Sequence, residues 1–91
     1  MHNEHVILNP NGIHARPARK IVTTAAGYGC SISLEKDGKR YNAKSLVSVL
    51  SMGAKQGDCI RVIAEGDGAE QAAASIGAVL EAVWDEKPVG E

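Results

Sequence analysis

The side chains best placed to do chemistry lie in the segment Asn11-Gly12-Ile13-His14-Ala15-Arg16-Pro17-Ala18. Pro17 suits the first turn of a helix, where a missing backbone N–H costs nothing. That sets His14 close to a helix N-terminus. Backbone N–H groups outside the helical ladder and the positive end of the helix dipole meet there, and both favour a phosphate or another anion. Arg16 can hold phosphate oxygens in a bidentate pair. Gly12 lets the turn backbone come close with no side chain in the way. A neutral imidazole can accept a phosphoryl group while the helix end and Arg16 hold the charge of the product. The product remains reactive, which suits a relay better than a stable mark. The same residues also fit a helix-capping histidine beside a solvated arginine, or a site that binds phosphate esters without transfer.

The remaining candidates are weaker as chemistry. Ser45 precedes a short apolar stretch and reads as an N-cap. His2 and His5 have no residues at a spacing that completes a metal site, and no metal or cofactor is expected. Cys30 and Cys59 form no CxxC pair. They are expected as two free, half-buried thiols.

The elements that position these residues follow from periodicity. A strand is expected from Glu4 to Leu8, then a turn at Asn9-Pro10-Asn11-Gly12. Ala18, Ile21, Val22, Ala25 and Ala26 share one helical face. Gly27 or Gly29 would end that helix in a left-handed conformation. Cys30, Ile32 and Leu34 alternate with polar residues, and Asp37-Gly38 predicts a type I′ hairpin into a strand through Tyr41 and Ala43. A short helix from Leu46 to about Met52 stops at Gly53. Ile60, Val62 and Ala64 mark another strand. Asp67 with Glu70 resembles a capping box. The final helix carries Ala69, Ala72, Ala73, Ile76, Val79, Leu80 and Val83 on one face. The order β-α-β-β-α-β-α predicts an α+β two-layer domain with helices on one face of a four-stranded sheet.

Composition narrows the function classes. The chain has 91 residues, enough for one compact domain. Aromatics make up 3%, with no Phe, which leaves no stacking platform for nucleic-acid bases. Apolar runs are too short for membrane insertion or a secretory segment. The net charge of −1 hides a split: residues 1–64 carry +5 and residues 65–91 carry −6. Arg16, Arg19, Lys20 and Lys44 are expected to cluster around the phosphate site as a docking face for acidic proteins.

The segment from Asn11 to Ala18 resembles the active-site segment of the HPr family, the histidine-containing phosphocarriers of the bacterial phosphoenolpyruvate:sugar phosphotransferase system. The resemblance continues at Ala43-Lys44-Ser45-Leu46, at Met52-Gly53 and at Lys55-Gln56-Gly57-Asp58, and spans about residues 4–84. It implies the HPr-like βαββαβα open-faced sandwich, as a single domain over residues 1–84 with a polar tail at 85–91. It implies that His14 accepts a phosphoryl group on Nδ1 from enzyme I and passes it to IIA components of sugar permeases. Arg16 matches the arginine beside the phosphate. Ser45 matches a second phosphorylation position, used by an HPr serine kinase in some bacteria.

With Val49 and Met52 facing the core, Leu46, Val47 and Leu50 turn outward as a partner-docking patch. Ala15, Arg19 and Lys20 are expected to join it from the first helix. The resemblance implies a cytoplasmic, monomeric carrier that needs protein partners and is no autonomous enzyme. A regulatory HPr-like module, or a domain of a fused phosphotransferase, is the alternative. Two departures stand out. The lysines common later in the first helix are replaced by Thr23, Thr24 and Ala26, and the chain continues past the usual end with Trp84-Asp85-Glu86-Lys87-Pro88-Val89-Gly90-Glu91.

Overall fold

Alternation of apolar and polar side chains decides which face of each strand is covered. The computed structural model describes residues 2–83. Its elements run β1 (His2–Val6), α1 (Ala15–Ala26), β2 (Ser31–Lys36), β3 (Lys39–Asn42), α2 (Leu46–Ser51), β4 (Cys59–Glu65) and α3 (Ala69–Glu81). In β2, Ile32 and Leu34 are buried; in β4, Ile60, Val62 and Ala64 are buried while the residues between them reach the other face. All pairings are antiparallel, in the order β1-β4-β2-β3. The helices cover one face, with α3 packed on β1, β2 and β4 and α1 packed on α2 and α3. This is the expected open-faced α+β sandwich.

The core is aliphatic. Ile7, Ile21, Leu34, Ile60, Val62, Ile76 and Leu80 are fully buried. Each such side chain contributes about 1.5–3 kcal/mol by leaving water. Ala18, Ala25, Ala72 and Ala73 are also fully buried and let the layers approach closely. The uncovered sheet face is held by charge. Arg61 lies opposite Glu4 on one side and Glu35 on the other. It donates to Glu4 at 3.0 Å and pairs with Glu35 at 3.4 Å. The hydrogen bond to Glu4, then the charge of Glu35, hold the Arg61 guanidinium above its ordinary pKa.

β1 is fastened to α3 by His5. Its Nδ1 lies 2.6 Å from Glu81 Oε2, and its ring lies over Gly77. A Cβ at Gly77 would meet the ring at Nε2 and Cε1, and would lie 3.1 Å from Cδ2.

Several boundaries differ from the expectations. β1 ends at Val6, not Leu8, because the 55–58 loop takes over the pairing: Ile7 N–H donates to Asp58 O at 2.9 Å and Gly57 N–H to Ile7 O at 2.8 Å. Ala43 lies just past β3, buried. Neither Gly27 nor Gly29 is left-handed. Gly27 has φ −76°, and α1 closes by tightening, with Gly27 N–H on Thr24 O and Tyr28 N–H on Ala25 O, both at 3.1 Å. Ala26 is exposed.

The capping box at Asp67 is absent. Gly68 is the N-cap, left-handed at φ 79°, and no side chain caps α3. The turn needs a positive φ at that position, which glycine supplies without strain. The last helix stops at Glu81 because Ala82 is extended, so Val83 is exposed and off the core face. The Asp37-Gly38 turn does have positive φ at both positions, 53° and 81°, as type I′ requires. Both cysteines are free, but they are not alike: Cys30 is buried and Cys59 exposed.

Candidate functional site

The loop ahead of α1 is fixed before the helix begins. Asn9 is fully buried, and its Nδ2 donates to Gly12 O at 2.9 Å. Gly12 N–H returns to Asn9 O at 2.9 Å, closing the turn. Ile13 is buried and donates its N–H to Ala54 O at 3.0 Å, just beyond α2. Gly12 has φ +67°, and a Cβ there would meet Ala54 O and lie 2.9 Å from Lys55 Cα. The close backbone approach expected at Gly12 is made to the Ala54-Lys55 backbone, so Gly12 acts by docking the loop.

His14 follows as the N-cap of α1, extended at φ −111°, without a side-chain cap bond. Its carbonyl accepts the first ladder bond, from Ala18 N–H at 2.9 Å. The imidazole is half-exposed, and its Nε2 atom is covered. The backbone N–H groups of Ala15 and Arg16 lie in the first turn, and Pro17 contributes none. That turn holds no acidic residue. Pro17 and Ala18 are buried and seat the helix, while Ala15 and Arg16 are exposed beside His14. Arg19 and Lys20 are exposed one turn further on.

Ser45 is the N-cap of α2, and its Oγ accepts from Ser48 N–H at 3.3 Å. Val49 and Met52 are buried, and Leu46, Val47 and Leu50 are exposed, with Val47 the most open at 75%. The outward apolar patch is thus present. The C-terminal side of α2 meets the Gly12–Ile13 loop through Ala54. Ser45 stands at the opposite end, about 9 Å away along a six-residue helix.

Lys44 departs from the expected basic cluster. Its Nζ donates to Tyr28 O at 2.8 Å, past the C-terminal end of α1. That is about 18 Å along the helix from His14. Its ammonium serves a helix end by holding a carbonyl there. Sequence reasoning passed over Asn9, Ala54 and Lys55 as parts of this site. The turn signal at residues 9–12 pointed to Asn9 but not to its burial; Ala54 and Lys55 come from a contact distant in sequence.

The open-faced βαββαβα sandwich, with His14 heading its first helix, has the fold of the small HPr-like proteins. Residues 1–82 match the family model described as PTS-HPr, the phosphotransferase-system HPr component phosphorylation site. The chain belongs to that family, the HPr phosphocarriers of the phosphotransferase system. It is 38% identical over 82 residues to a multiphosphoryl transfer protein of Salmonella typhimurium, covering 87% of this chain and 22% of that protein. The chain thus spans about a fifth of the length of this relative. HPr-C-His from Thermoanaerobacter tengcongensis is 38% identical with a TM-score of 0.83, covering 88% of this chain and 90% of that one. Phosphocarrier protein HPr from Bacillus anthracis str. Ames is 33% identical with a TM-score of 0.84, covering 89% and 96%. No helix among the described residues is long and apolar enough to cross a membrane.

Proposed function

We propose that this chain relays phosphoryl groups through His14 Nδ1, from phosphorylated enzyme I to IIA components of sugar permeases. The observation that carries this reading is the half-exposed imidazole at the head of α1 with its Nε2 atom covered. The Nδ1 lone pair forms the bond to phosphorus as the bond from phosphorus to the donor breaks. The donor keeps that electron pair. The helix end and Arg16 offset the charge of the bound phosphoryl group. Onward transfer reverses these steps with the IIA component as acceptor. The chain acts as a carrier with protein partners, free in the cytoplasm, within a single domain over residues 1–84.

Incubation with phosphoenolpyruvate and enzyme I tests the proposal. It predicts a single phosphoryl adduct that is lost in acid and absent from His14→Ala. An adduct that survives in His14→Ala would overturn it. The docking surface in this reading is Ala15, Arg19 and Lys20 on α1 with Leu46, Val47 and Leu50 on α2, all exposed.

A phosphate on Ser45 would add about two negative charges at the rim of that patch and hinder acidic partners. Ser45→Asp should therefore weaken enzyme I binding severalfold by calorimetry. Unchanged affinity would remove Ser45 as a regulatory position.

A second reading is favoured by the match to one part of a multiphosphoryl transfer protein. In it the chain is a regulatory HPr-like module, or a domain of a fused phosphotransferase, acting through protein binding. Affinity capture with the phosphorylated chain separates the two: IIA components of sugar permeases support the first reading, and regulatory partners alone support the second.

A further inference from the structure

The helices leave one face of the sheet open, and its charges fall in a row across the strands. Glu4 on β1 lies opposite Arg61 on β4, Arg61 opposite Glu35 on β2, and Glu35 opposite Arg40 on β3. Residues directly opposite in a sheet share a face. Acid and base therefore alternate over all four strands. Arg61 is shared by Glu4 at 3.0 Å and Glu35 at 3.4 Å, so these three groups carry one surplus negative charge. Arg40, exposed on the edge strand β3, forms no ion pair among the described residues. The neighbouring row, His2, Ile63, Ser33 and Asn42, holds no carboxylate, lysine or arginine.

A row that reads acid, base, acid, base complements a copy of itself only when one of the two is reversed. Turning a second sheet face to face about an axis parallel to the strands reverses it. Glu4 then meets Arg40 of the second copy, and Arg61 meets its Glu35. In the neighbouring row Ile63 meets Ser33, and His2 meets Asn42. An axis across the strands would instead set each charge against its own kind. The first arrangement also keeps the strands of the two sheets nearly aligned, as in the common face-to-face packing of sheets about 10 Å apart.

We infer that the open sheet face is a self-association surface for a second copy of this chain, turned so that Arg40 of each copy pairs with Glu4 of the other. Charge complementarity carries the inference: the surplus guanidinium and the surplus carboxylate stand at opposite edges of one row. Four strands about 4.8 Å apart make a face about 19 Å wide, and five residues of strand make it about 17 Å long. That is of order 300 Å² per copy, well under the roughly 800 Å² of a standard interface. The pair is therefore weak, forms in concentrated protein, and is screened by salt. The helical layer, with His14 and α2, stays uncovered in both copies. The inference thus stands independently of phosphoryl transfer.

Sedimentation velocity from micromolar to millimolar protein in low salt tests it. The mean mass of the wild-type chain should rise toward that of a dimer and fall back as salt is added. Arg40→Glu places a carboxylate against Glu4 at both ends of the pair and should stay monomeric. Glu4→Arg places two guanidinium groups together and should do the same. An equimolar mixture of the two variants restores both contacts and should regain association. Far-UV circular dichroism checks that each variant is folded. Amide NMR shifts of the wild-type chain on dilution give a second reading, which serves if Glu4→Arg does not fold; they should centre on β2, β3 and β4. A wild-type chain that stays monomeric at millimolar concentration would overturn the inference, as would folded variants that associate like the parent. So would a mixture of the folded variants that is no heavier than its parts. Dilution shifts confined to the helices would overturn it too, by moving the contact to the helical layer.

Discussion

At His14 the decisive property is position. As the N-cap, His14 gives its carbonyl to the helical ladder while its own backbone is extended, so it stands at the head of the first turn. Gly12 sets that position from two residues away. Its left-handed backbone and its contact with Ala54 and Lys55 leave no room for a side chain. Gly12→Ala should cost of order 1–3 kcal/mol from backbone strain and crowding together. It should also slow phosphoryl transfer, because Ile13 and His14 must shift with the loop. Urea denaturation and single-turnover transfer from enzyme I measure the two effects, and a variant as stable as the parent would contradict the first.

At the scale of elements, α2 and β1 are held in ways that make separate predictions. α2 has only six helical residues, so its cap matters more than in a long helix. Ser45→Ala removes the acceptor for Ser48 N–H and should cost about 1 kcal/mol. That loss must be subtracted before any Ser45 variant is interpreted as regulatory. β1 is an edge strand whose His5 packs over Gly77 and meets Glu81. Gly77→Ala drives a methyl group into the imidazole and should lower stability by about 1–3 kcal/mol. In a His5→Ala background the same substitution should cost far less, since the ring it strikes is gone. A double-mutant cycle by thermal denaturation reads this coupling; equal costs in both backgrounds would show that His5 is not the obstacle.

Charge organises the molecule as a whole. The basic residues near His14 are Arg16, Arg19 and Lys20, all on the exposed side of α1, while Lys44 is committed to the other end of that helix. The +5 half therefore leaves a smaller basic face beside His14 than its sum suggests. An acidic partner should still be steered to it, and its association rate should fall several-fold between low and physiological salt. A stopped-flow rate for enzyme I that is flat with salt would contradict this. Arg61 adds nothing to that face: it is held between Glu4 and Glu35 on the uncovered side of the sheet.

The local sequence determined what depends on near neighbours. Alternation in β2 and β4, the Asp37-Gly38 hairpin, the Ser45 cap and the apolar stripes of α1 and α3 were all legible, because each reflects the pitch of its own element. The β-α-β-β-α-β-α order followed from them, and Pro17 set His14 and Arg16 at a helix start. Tertiary structure decided whatever depends on distant chain. Gly12 answers to Ala54, His5 to Gly77 and Glu81, and Lys44 to Tyr28. The ends of β1 and α3 moved for related reasons: the 55–58 loop replaced a strand partner, and an extended Ala82 turned Val83 off the core. A residue's type limits the contacts it can make, but its partner is chosen only when the layers close.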